Sequence, residues 1–256
     1  MRILVSGITG HMGHEVCALA KTGMRGAEVV GGIGLGDAAG LDVPVAQGFE
    51  AAGEVLAGVD ADVIVDFSHH SWTEGLLAFA CARKLPVVIA TTGQTADERD
   101  IIIAAAEQIP IFFAANFSLG VALLVELAKK AAATMPDAEI EIIEKHHNRK
   151  LDAPSGTAIA LANAVNEARG NTMHAVCGRS GQAKRQAGEI GISSVRMGNI
   201  VGEHEVLIGT ANEIITLKHE AVNRALFAEG ALAAAEFVAK LPAGSFGLYN
   251  MNDLAK

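Results

Sequence analysis

Short apolar runs alternate with helix-like segments over the first half of the chain. The runs show no apolar–polar alternation, which is typical of strands buried on both faces of a parallel sheet. The segments between them are long enough for helices that connect parallel strands. This pattern predicts an α/β fold with a doubly wound parallel sheet. The predicted strands lie at Ile3–Val5, Val29–Ile33, Val63–Val65, Val87–Ala90 and Ile111–Ala114, and the helices at about 12–20, 72–84 and 96–108.

The pattern changes near residue 118. An amphipathic helix is predicted from Val121 to about Thr134, where Pro136 ends it, and a strand follows at Glu139–Glu144. Three strand-like stretches later follow one another without helices, which favours a C-terminal α+β domain with a largely antiparallel sheet. These strands are Ile190–Met197, Glu205–Thr210 and Glu213–His219, with a helix starting at Thr157 and a final helix at about 224–240.

Two domains are therefore expected. Residues 1–118 form the first, and the segment from about 223 to 256 is expected to pack back on it. Residues 119–222 form the second.

Composition narrows the functional class. The chain has 20 Lys and Arg residues against 29 Asp and Glu residues, a net charge of −9 that argues against nucleic-acid binding. Its three cysteines form no Cys-x-x-Cys pair, so we expect neither a disulfide framework nor a cysteine-rich metal site. The uncharged stretch from Gln108 to Val125 raises the question of a membrane helix, but Pro110 and Gly120 interrupt it and favour a strand and a turn. A cytoplasmic protein fits best.

The first predicted strand runs directly into the turn Gly7-Ile8-Thr9-Gly10-His11-Met12-Gly13, which opens a helix. Glycines at this spacing allow a tight turn, close approach to a pyrophosphate and close packing of helix on strand. The free N–H groups at the start of the helix then favour phosphates. In this context the turn predicts dinucleotide binding in a Rossmann-like domain.

Two further segments follow predicted parallel strands, at the edge where open α/β sheets bind ligands. They are Thr91-Thr92-Gly93 and Ala114-Ala115-Asn116-Phe117, which we expect at the nicotinamide end of the cofactor. The acidic residue that usually binds the ribose is missing, because Gly34 follows the second strand. Asp37 is a nearby substitute, and no Arg or Lys is placed to bind a 2′-phosphate. The choice between NADH and NADPH therefore stays open.

The segment Lys145-His146-His147-Asn148-Arg149-Lys150 places five potentially cationic side chains in six positions of an acidic protein. It leads into Ser155-Gly156-Thr157, which reads as a helix start whose amides suit a carboxylate or phosphate. The cationic segment and the helix start together predict a small anionic substrate. The histidines provide groups that exchange protons near neutral pH. A metal held by the two histidines is disfavoured, because no Asp, Glu or Cys at suitable spacing completes the set.

These motifs appear in one order that resembles the 4-hydroxy-tetrahydrodipicolinate reductase (dihydrodipicolinate reductase) family of the diaminopimelate route to lysine. The string from Glu144 to Ala158, with His-His-x-x-Lys-x-Asp-Ala-Pro-Ser-Gly-Thr at its centre, is highly specific to that family, and the likeness runs from residue 1 to the Gly247–Leu254 tail.

The resemblance implies an NADH- or NADPH-dependent reductase with a dinucleotide-binding domain, a substrate-binding and oligomerisation domain, and a homotetrameric assembly. It implies that His146 is the acid/base residue, that Lys150 is the proton donor, and that a dicarboxylate substrate is held by His147, Gly156 and Thr157, with the Ser155 amide alongside. The implied cofactor contacts are Gly7, Ile8, Thr9, Gly10, His11, Met12, Ala90, Thr91, Thr92, Ala114, Ala115, Asn116 and Phe117.

The sequence departs from the family pattern at two positions. Gly34 replaces the usual acidic residue, and Ala90 stands where glycine is common. Two other functions remain compatible with the residues: an NAD(P)-dependent dehydrogenase of another small amino or keto acid, and a non-catalytic NAD(P)-sensing protein. The intact cluster from Lys145 to Lys150 argues against the sensor.

Overall fold

The computed structural model describes residues 1–254 and divides into two compact units. The first unit comprises Met1–Ser118 and the segment from Ala225 onward, and the second comprises Leu119–Arg224.

A seven-stranded sheet, parallel throughout, forms the centre of the first unit, with strand order β12-β6-β5-β4-β1-β2-β3. The central strands are apolar on both faces; Val63–Asp66, for example, is buried at every position. This is the pattern that helices on both sides of a parallel sheet require. The strands are β1 (Arg2–Ser6), β2 (Glu28–Ile33), β3 (Val45–Ala46), β4 (Val63–Asp66), β5 (Val87–Ile89), β6 (Pro110–Phe113) and β12 (Gly247–Tyr249).

Helices complete the first unit and bury its core. Thr95 caps one of them, since its hydroxyl accepts the N–H of Glu98 while the Glu98 carboxylate accepts the N–H of Thr95. The C-terminal helix α7 returns to pack on α1 and on strands β4 to β6. The helices are α1 (His11–Lys21), α2 (Phe49–Val55), α3 (Thr73–Arg83), α4 (Ala96–Ala105), α7 (Ala225–Ala239) and α8 (Met251–Leu254).

The second unit is a five-stranded mixed sheet of order β11-β10-β7-β9-β8, with helices α5 (Leu119–Thr134) and α6 (Gly156–Ala168). Apolar residues of both helices pack on Ile140, Ile142, Ile190 and Val206. The Arg169 guanidinium donates to the carbonyl oxygens of Ala132, Met135 and Ala138 at the end of α5. The strands are β7 (Glu139–His146), β8 (His174–Cys177), β9 (Glu189–Arg196), β10 (Gly202–Gly209) and β11 (Ile214–Ala221).

The predicted fold class is confirmed, with one refinement of the second sheet. β10 pairs antiparallel with β7 and β11, whereas β9 pairs parallel with β7 and β8. The parallel pairs arise because β9 follows β7 after a helical crossover, and because β8, a strand the sequence analysis missed, lies beside β9. The stretch from Gln108 to Val125 contains β6 and the start of α5. Across residues 1–254, no helix combines the length and apolar character that crossing a membrane requires.

Candidate active site

The glycine turn of the first unit joins β1 to α1 with a tight backbone geometry. The N–H of Gly7 donates to the carbonyl oxygen of Ile33 at 2.8 Å, and the N–H of Gly10 donates to the carbonyl oxygen of Gly7 at 2.9 Å. Gly10 is the N-cap of α1 and offers no side chain to the first amides of the helix. The helix therefore starts with N–H groups directed at the space beside the turn, where they suit an anion.

Two of the glycines are required by close backbone approaches. Gly7 has φ +80°, and a Cβ there would lie 2.4 Å from the carbonyl oxygen of Phe67. A Cβ on Gly13 would lie 2.2 Å from the carbonyl oxygen of Gly7. The turn thus has the backbone that a dinucleotide pyrophosphate needs, and the residues present fit this cofactor.

The side chains of the turn point in different directions. Ile8 is fully buried in the core, so only its backbone is available to a ligand. The Thr9 hydroxyl accepts the N–H of Gly36 at 3.3 Å, whereas His11 is exposed and Met12 is half-buried. A cofactor at Ile8 would therefore meet the main chain, whereas His11 and Met12 also present side-chain surface.

Position 34, at the end of β2, faces the Thr9 side chain. A Cβ on Gly34 would lie 2.6 Å from Oγ1 of Thr9. With threonine at position 9, there is therefore no room for an acidic side chain at position 34. The carboxylate of Asp37 is exposed and accepts the N–H of Ala39 at 2.8 Å. In this structure the Asp37 carboxylate therefore stabilises the turn in which it lies.

The segment after β5 is held by a buried carboxylate that sequence analysis did not identify. The hydroxyl of Thr91 donates to Asp66 at 2.6 Å, as does the hydroxyl of Ser68. Burial raises the pKa of Asp66, and these hydrogen bonds oppose the shift. Thr92 is exposed beside Thr91, and Ala90 is half-buried. Thr91 therefore fixes the loop, while Thr92 is the hydroxyl that faces outward.

The segment after β6 is also fixed from within. Phe117 is buried, with its ring centroid 5.7 Å from that of Phe112, so only its backbone can meet a cofactor. The Asn116 side-chain oxygen accepts the N–H of Ser118 at 2.8 Å. Ala114 is half-buried and Ala115 is exposed.

In the second unit, β7 runs two residues beyond its predicted end and includes Lys145 and His146. Side chains alternate along a strand, and Ile142, Glu144 and His146 are accordingly buried on the face that carries the helices. Lys145 lies on the opposite face, where its ammonium contacts Glu203 at 3.0 Å and Glu205 at 3.2 Å. The predicted cationic cluster is therefore divided between two faces.

His146 is surrounded by polar groups in this buried setting. Its Nδ1 lies 2.6 Å from Oε2 of Glu144, and its ring packs edge-on against His204 at 5.2 Å between centroids. Burial, followed by the charge of His146, lowers the pKa of His204 to about 4. His204 is therefore neutral at pH 7.

The residues after His146 form a turn that carries the remaining cations. The backbone N–H of His147 donates to Ile200, and its Nδ1 is buried with no hydrogen-bond partner among the described residues. Burial lowers the pKa of His147, as do the charges of Arg149 and Arg224. Lys150 is 22% exposed, and its ammonium lies 2.8 Å from the Asp152 carboxylate.

The Ser155-Gly156-Thr157 helix start is observed one residue earlier than predicted. Ser155 is the N-cap of α6: its hydroxyl accepts the N–H of Ala158 at 3.2 Å and also lies 3.1 Å from Nε2 of His204. The N–H of Ser155 donates to Glu144 at 3.1 Å. Gly156 is exposed and Thr157 is half-buried at the first turn. Ser155 therefore builds the turn, and the amides that follow it are the ones suited to an anion.

Sequence analysis missed three residues of this cluster, namely Glu144, Arg196 and His204. Glu144 had a signal, because it stands two residues before His146 on a strand and shares its face. Arg196 and His204 lie about 50 residues further along the chain and reach the cluster only through the pairing of β9 and β10 with β7. Within residues 1–254, no three His, Cys, Asp or Glu side chains are arranged to hold a metal ion.

Comparison with known proteins identifies the family. The family model "Dihydrodipicolinate reductase, N-terminus" matches residues 1–117, and "Dihydrodipicolinate reductase, C-terminus" matches residues 120–254. The chain belongs to the dihydrodipicolinate reductase family. The predicted resemblance is thereby confirmed.

Relatives in the dihydrodipicolinate reductase family match along their whole length. The 4-hydroxy-tetrahydrodipicolinate reductase of Caldanaerobacter subterraneus subsp. tengcongensis is 43% identical, covering 100% of this chain and 98% of the relative. That of Clostridium tetani is 38% identical over 98% and 96% of the two chains. A dipicolinate-bound dihydrodipicolinate reductase from Paenisporosarcina sp. TG-14 superposes with a TM-score of 0.81 at 26% identity, covering 99% of each chain.

Family membership also confirms the predicted enzyme class. The chain is an NAD(P)H-dependent oxidoreductase of the dihydrodipicolinate reductase family, with the Rossmann-like fold of that family.

Proposed function

We propose that the chain reduces 4-hydroxy-tetrahydrodipicolinate to tetrahydrodipicolinate in the diaminopimelate route to lysine. The reaction consumes one hydride and one proton and releases one water molecule, so the enzyme must bind a dicarboxylate ring and deliver a proton. The names of the full-length relatives and the fit of the glycine turn to a dinucleotide support this assignment.

The first unit binds NADH or NADPH in this proposal, and the bound cofactor supplies the hydride. Backbone N–H groups of the turn from Gly7 to Met12 hold the pyrophosphate. The residues that follow β5 and β6 hold the nicotinamide end, at the carboxyl edge where open parallel sheets bind ligands. These residues are Ala90, Thr91, Thr92, Ala114, Ala115, Asn116 and Phe117.

The second unit binds the substrate carboxylates through the first turn of α6 and the cations before it. Gly156 is exposed there, which allows a carboxylate to approach the main chain closely. His147 contributes a buried ring nitrogen that has no partner among residues 1–254. The relative from Paenisporosarcina carries dipicolinate, itself a dicarboxylate, which supports this class of ligand. Thr157 completes the binding turn.

His146 acts as the acid/base residue and Lys150 as the proton donor. Loss of the 4-hydroxyl group together with a ring proton, as one water molecule, gives a conjugated ring. Hydride addition to that ring builds negative charge that a cation can neutralise and protonate. The observation that carries the proposal is a single network in the second unit: the carboxylate of Glu144 contacts both His146 and the amide of Ser155. A proton-exchanging group and an anion-binding turn are thus held by one side chain.

The test is oxidation of NADH and NADPH with freshly prepared substrate. We expect His146→Gln and Lys150→Ala each to lower kcat by about 10²–10⁴-fold, the usual contribution of a general acid. His174→Gln and Lys184→Ala are matched controls, because both side chains are exposed elsewhere in the second unit. Fluorescence titration with the cofactor alone should give the same affinity in all four variants. Wild-type turnover in both site variants would contradict the assigned roles.

A homotetrameric, cytoplasmic enzyme is part of the same proposal. The sheet face of the second unit opposite α5 and α6 carries apolar side chains, including the partly exposed Val195 and Ile214, which a second copy would cover. The three free cysteines agree with a reducing compartment. Sedimentation velocity should give the mass of four chains, and Val195→Glu together with Ile214→Glu should shift it towards smaller species.

A further inference from the structure

The second unit contains a fully buried carboxylate that the proposed function treats only as a link between His146 and the start of α6. Glu144 has no solvent exposure, and it lies on the face of β7 that carries His146. Burying a carboxylate is costly unless donors and an opposite charge surround it. The groups that surround the Glu144 carboxylate therefore indicate its role.

Three elements of the second unit supply those donors. The guanidinium of Arg196, at the end of β9, donates to both oxygens of Glu144, at 2.8 Å and 2.7 Å. The amide of Ser155, at the start of α6, donates to Oε1 at 3.1 Å. Nδ1 of His146 lies 2.6 Å from Oε2. One side chain therefore connects β9, the anion-binding turn and the acid/base histidine.

The Glu144 carboxylate is ionised in this arrangement. Burial by itself would raise the pKa of Glu144, but hydrogen bonds from Arg196, Ser194, His146 and Ser155 lower it to about 2. An ionised carboxylate only accepts hydrogen bonds. Nδ1 of His146 must therefore carry the proton in their contact, and Nε2 is left for proton exchange with a ligand.

We propose that Glu144, held by Arg196, is a positioning residue that keeps His146 in the Nδ1–H tautomer and fixes its ring relative to the start of α6. This inference rests on the proposed function and names a residue that acts through His146. The space at Nε2 agrees with it: a Cβ on Gly202 would lie 3.1 Å from Nε2, so the glycine leaves that side of the ring uncrowded.

Arg196 extends the same network to the proposed proton donor. Its Nη2 also donates to the carbonyl oxygen of Asp152 at 2.6 Å, and the carboxylate of Asp152 pairs with Lys150. The guanidinium thereby fixes both the carboxylate behind His146 and the turn that carries the partner of Lys150. Planar, bidentate contact of this kind suits arginine and not lysine.

A merely structural ion pair is the competing interpretation. It would join β7, β9 and α6, and its loss would lower stability without changing the chemistry of His146. The two interpretations differ in what they predict for the histidine ring, so the test observes the ring directly.

The experiment measures ¹⁵N chemical shifts of the full-length protein labelled at histidine, at a pH where the ring of residue 146 is neutral. The His146→Gln variant assigns the signals. We expect wild-type His146 to be protonated at Nδ1 and unprotonated at Nε2. The opposite tautomer in the wild type would overturn the proposal, and this measurement needs no further variant to fold.

Glu144→Gln then removes the charge while keeping the shape. Arg196 competes for the single amide oxygen, which turns the NH₂ group towards Nδ1 and favours the Nε2–H tautomer. We expect this tautomer shift together with a fall in kcat of about 10–10²-fold, typical of a misplaced catalytic group. KM should change much less, because the amides that bind the substrate remain. Glu144→Asp, which retains the charge, should restore part of kcat.

Glu141→Gln is the matched control, because Glu141 lies on the other face of the same strand and also pairs with arginines, Arg179 and Arg185. It should leave the tautomer unchanged. A Glu144→Gln enzyme with wild-type kcat and tautomer but lower stability would establish the structural interpretation instead. Failure of the proposed function can be told apart from failure of this inference. Full activity of His146→Gln would refute the catalytic role of His146. The wild-type spectrum tests the tautomer alone, because it does not depend on turnover.

Discussion

The hydroxyl of Ser155 lies 3.1 Å from Nε2 of His204, although the two residues are 49 positions apart in the chain. The contact joins the N-cap of α6 to the middle of the sheet of the second unit. Because both side chains are buried, the protonation state of His204 affects folding as well as the site.

Acid should therefore destabilise the protein through His204. Burial lowers the pKa of His204 from 6.5 to about 4, so below pH 6.5 the unfolded chain binds a proton that the folded chain does not. The stability present above pH 6.5 is lost as the pH falls towards 4, by at most about 3 kcal/mol. Urea unfolding at several pH values should show a weaker decline in His204→Gln. An equal decline in both proteins would contradict the buried, neutral assignment of the ring.

Asp66 should give a dependence of the opposite sign. Burial raises its pKa, so above pH 3.8 the unfolded chain loses a proton that the folded chain retains. Stability is therefore lost as the pH rises, until the folded carboxyl ionises. Asp66→Asn should gain stability relative to the wild type as the pH is raised from about 4 to 8, measured by urea unfolding. Asp60→Asn, at an exposed position, is the control.

The third glycine of the first turn should not tolerate a methyl group. Gly13→Ala places a Cβ 2.2 Å from the carbonyl oxygen of Gly7, and we expect a loss of about 1–3 kcal/mol in unfolding free energy from overpacking. Cofactor affinity should fall with it, because the turn must move. Gly53→Ala is the matched control: Gly53 lies in α2 with nothing within 4 Å of its Cβ position, so alanine should add about 0.5–1 kcal/mol.

Cofactor preference should respond to positions 9 and 34 together. A side chain on Gly34 meets Thr9, so Gly34→Asp alone should bind both cofactors poorly. Thr9→Gly combined with Gly34→Asp makes room for a carboxylate where Rossmann domains bind the ribose hydroxyl. We expect the ratio of NADH to NADPH affinity to rise by at least about tenfold, or about 1.4 kcal/mol, because the carboxylate repels a 2′-phosphate. Separate fluorescence titrations of the wild type and variants with each cofactor measure this ratio; an unchanged ratio would place the ribose elsewhere.

The sheet of the first unit was largely predictable, because buried parallel strands form unbroken apolar runs that are separated by turns. Short edge elements were not: Val45–Ala46 has too few residues to show a period, and Gly247–Tyr249 joins the sheet only by pairing with β6. The end of β7 was misplaced because Lys145 looks like a loop residue. Its charge is satisfied on the strand by Glu203 and Glu205, which come from a later strand.

The candidate site likewise has a part that could be predicted from the sequence and a part that could not. The glycine turn and the segment from His146 to Thr157 were predictable because their chemistry is contiguous in the chain. Asp66 was not, since it reads as the polar end of an apolar strand and its role depends on Thr91, 25 residues later. Arg196 was equally hidden, because the register of β7 and β9 brings it opposite His146. Local patterns identify candidate ligand-binding groups more readily than the residues that hold those groups in place.

The alternation of side chains along β7 constrains how the family can vary. Inserting or deleting one residue between Ile142 and His146 would exchange the two faces of the strand, turning Lys145 towards the helices and His146 outward. Such a change would disrupt the proposed chemistry and the proposed subunit contact in one event. Variation in length is therefore expected in the loops that flank β7, and hardly ever inside it.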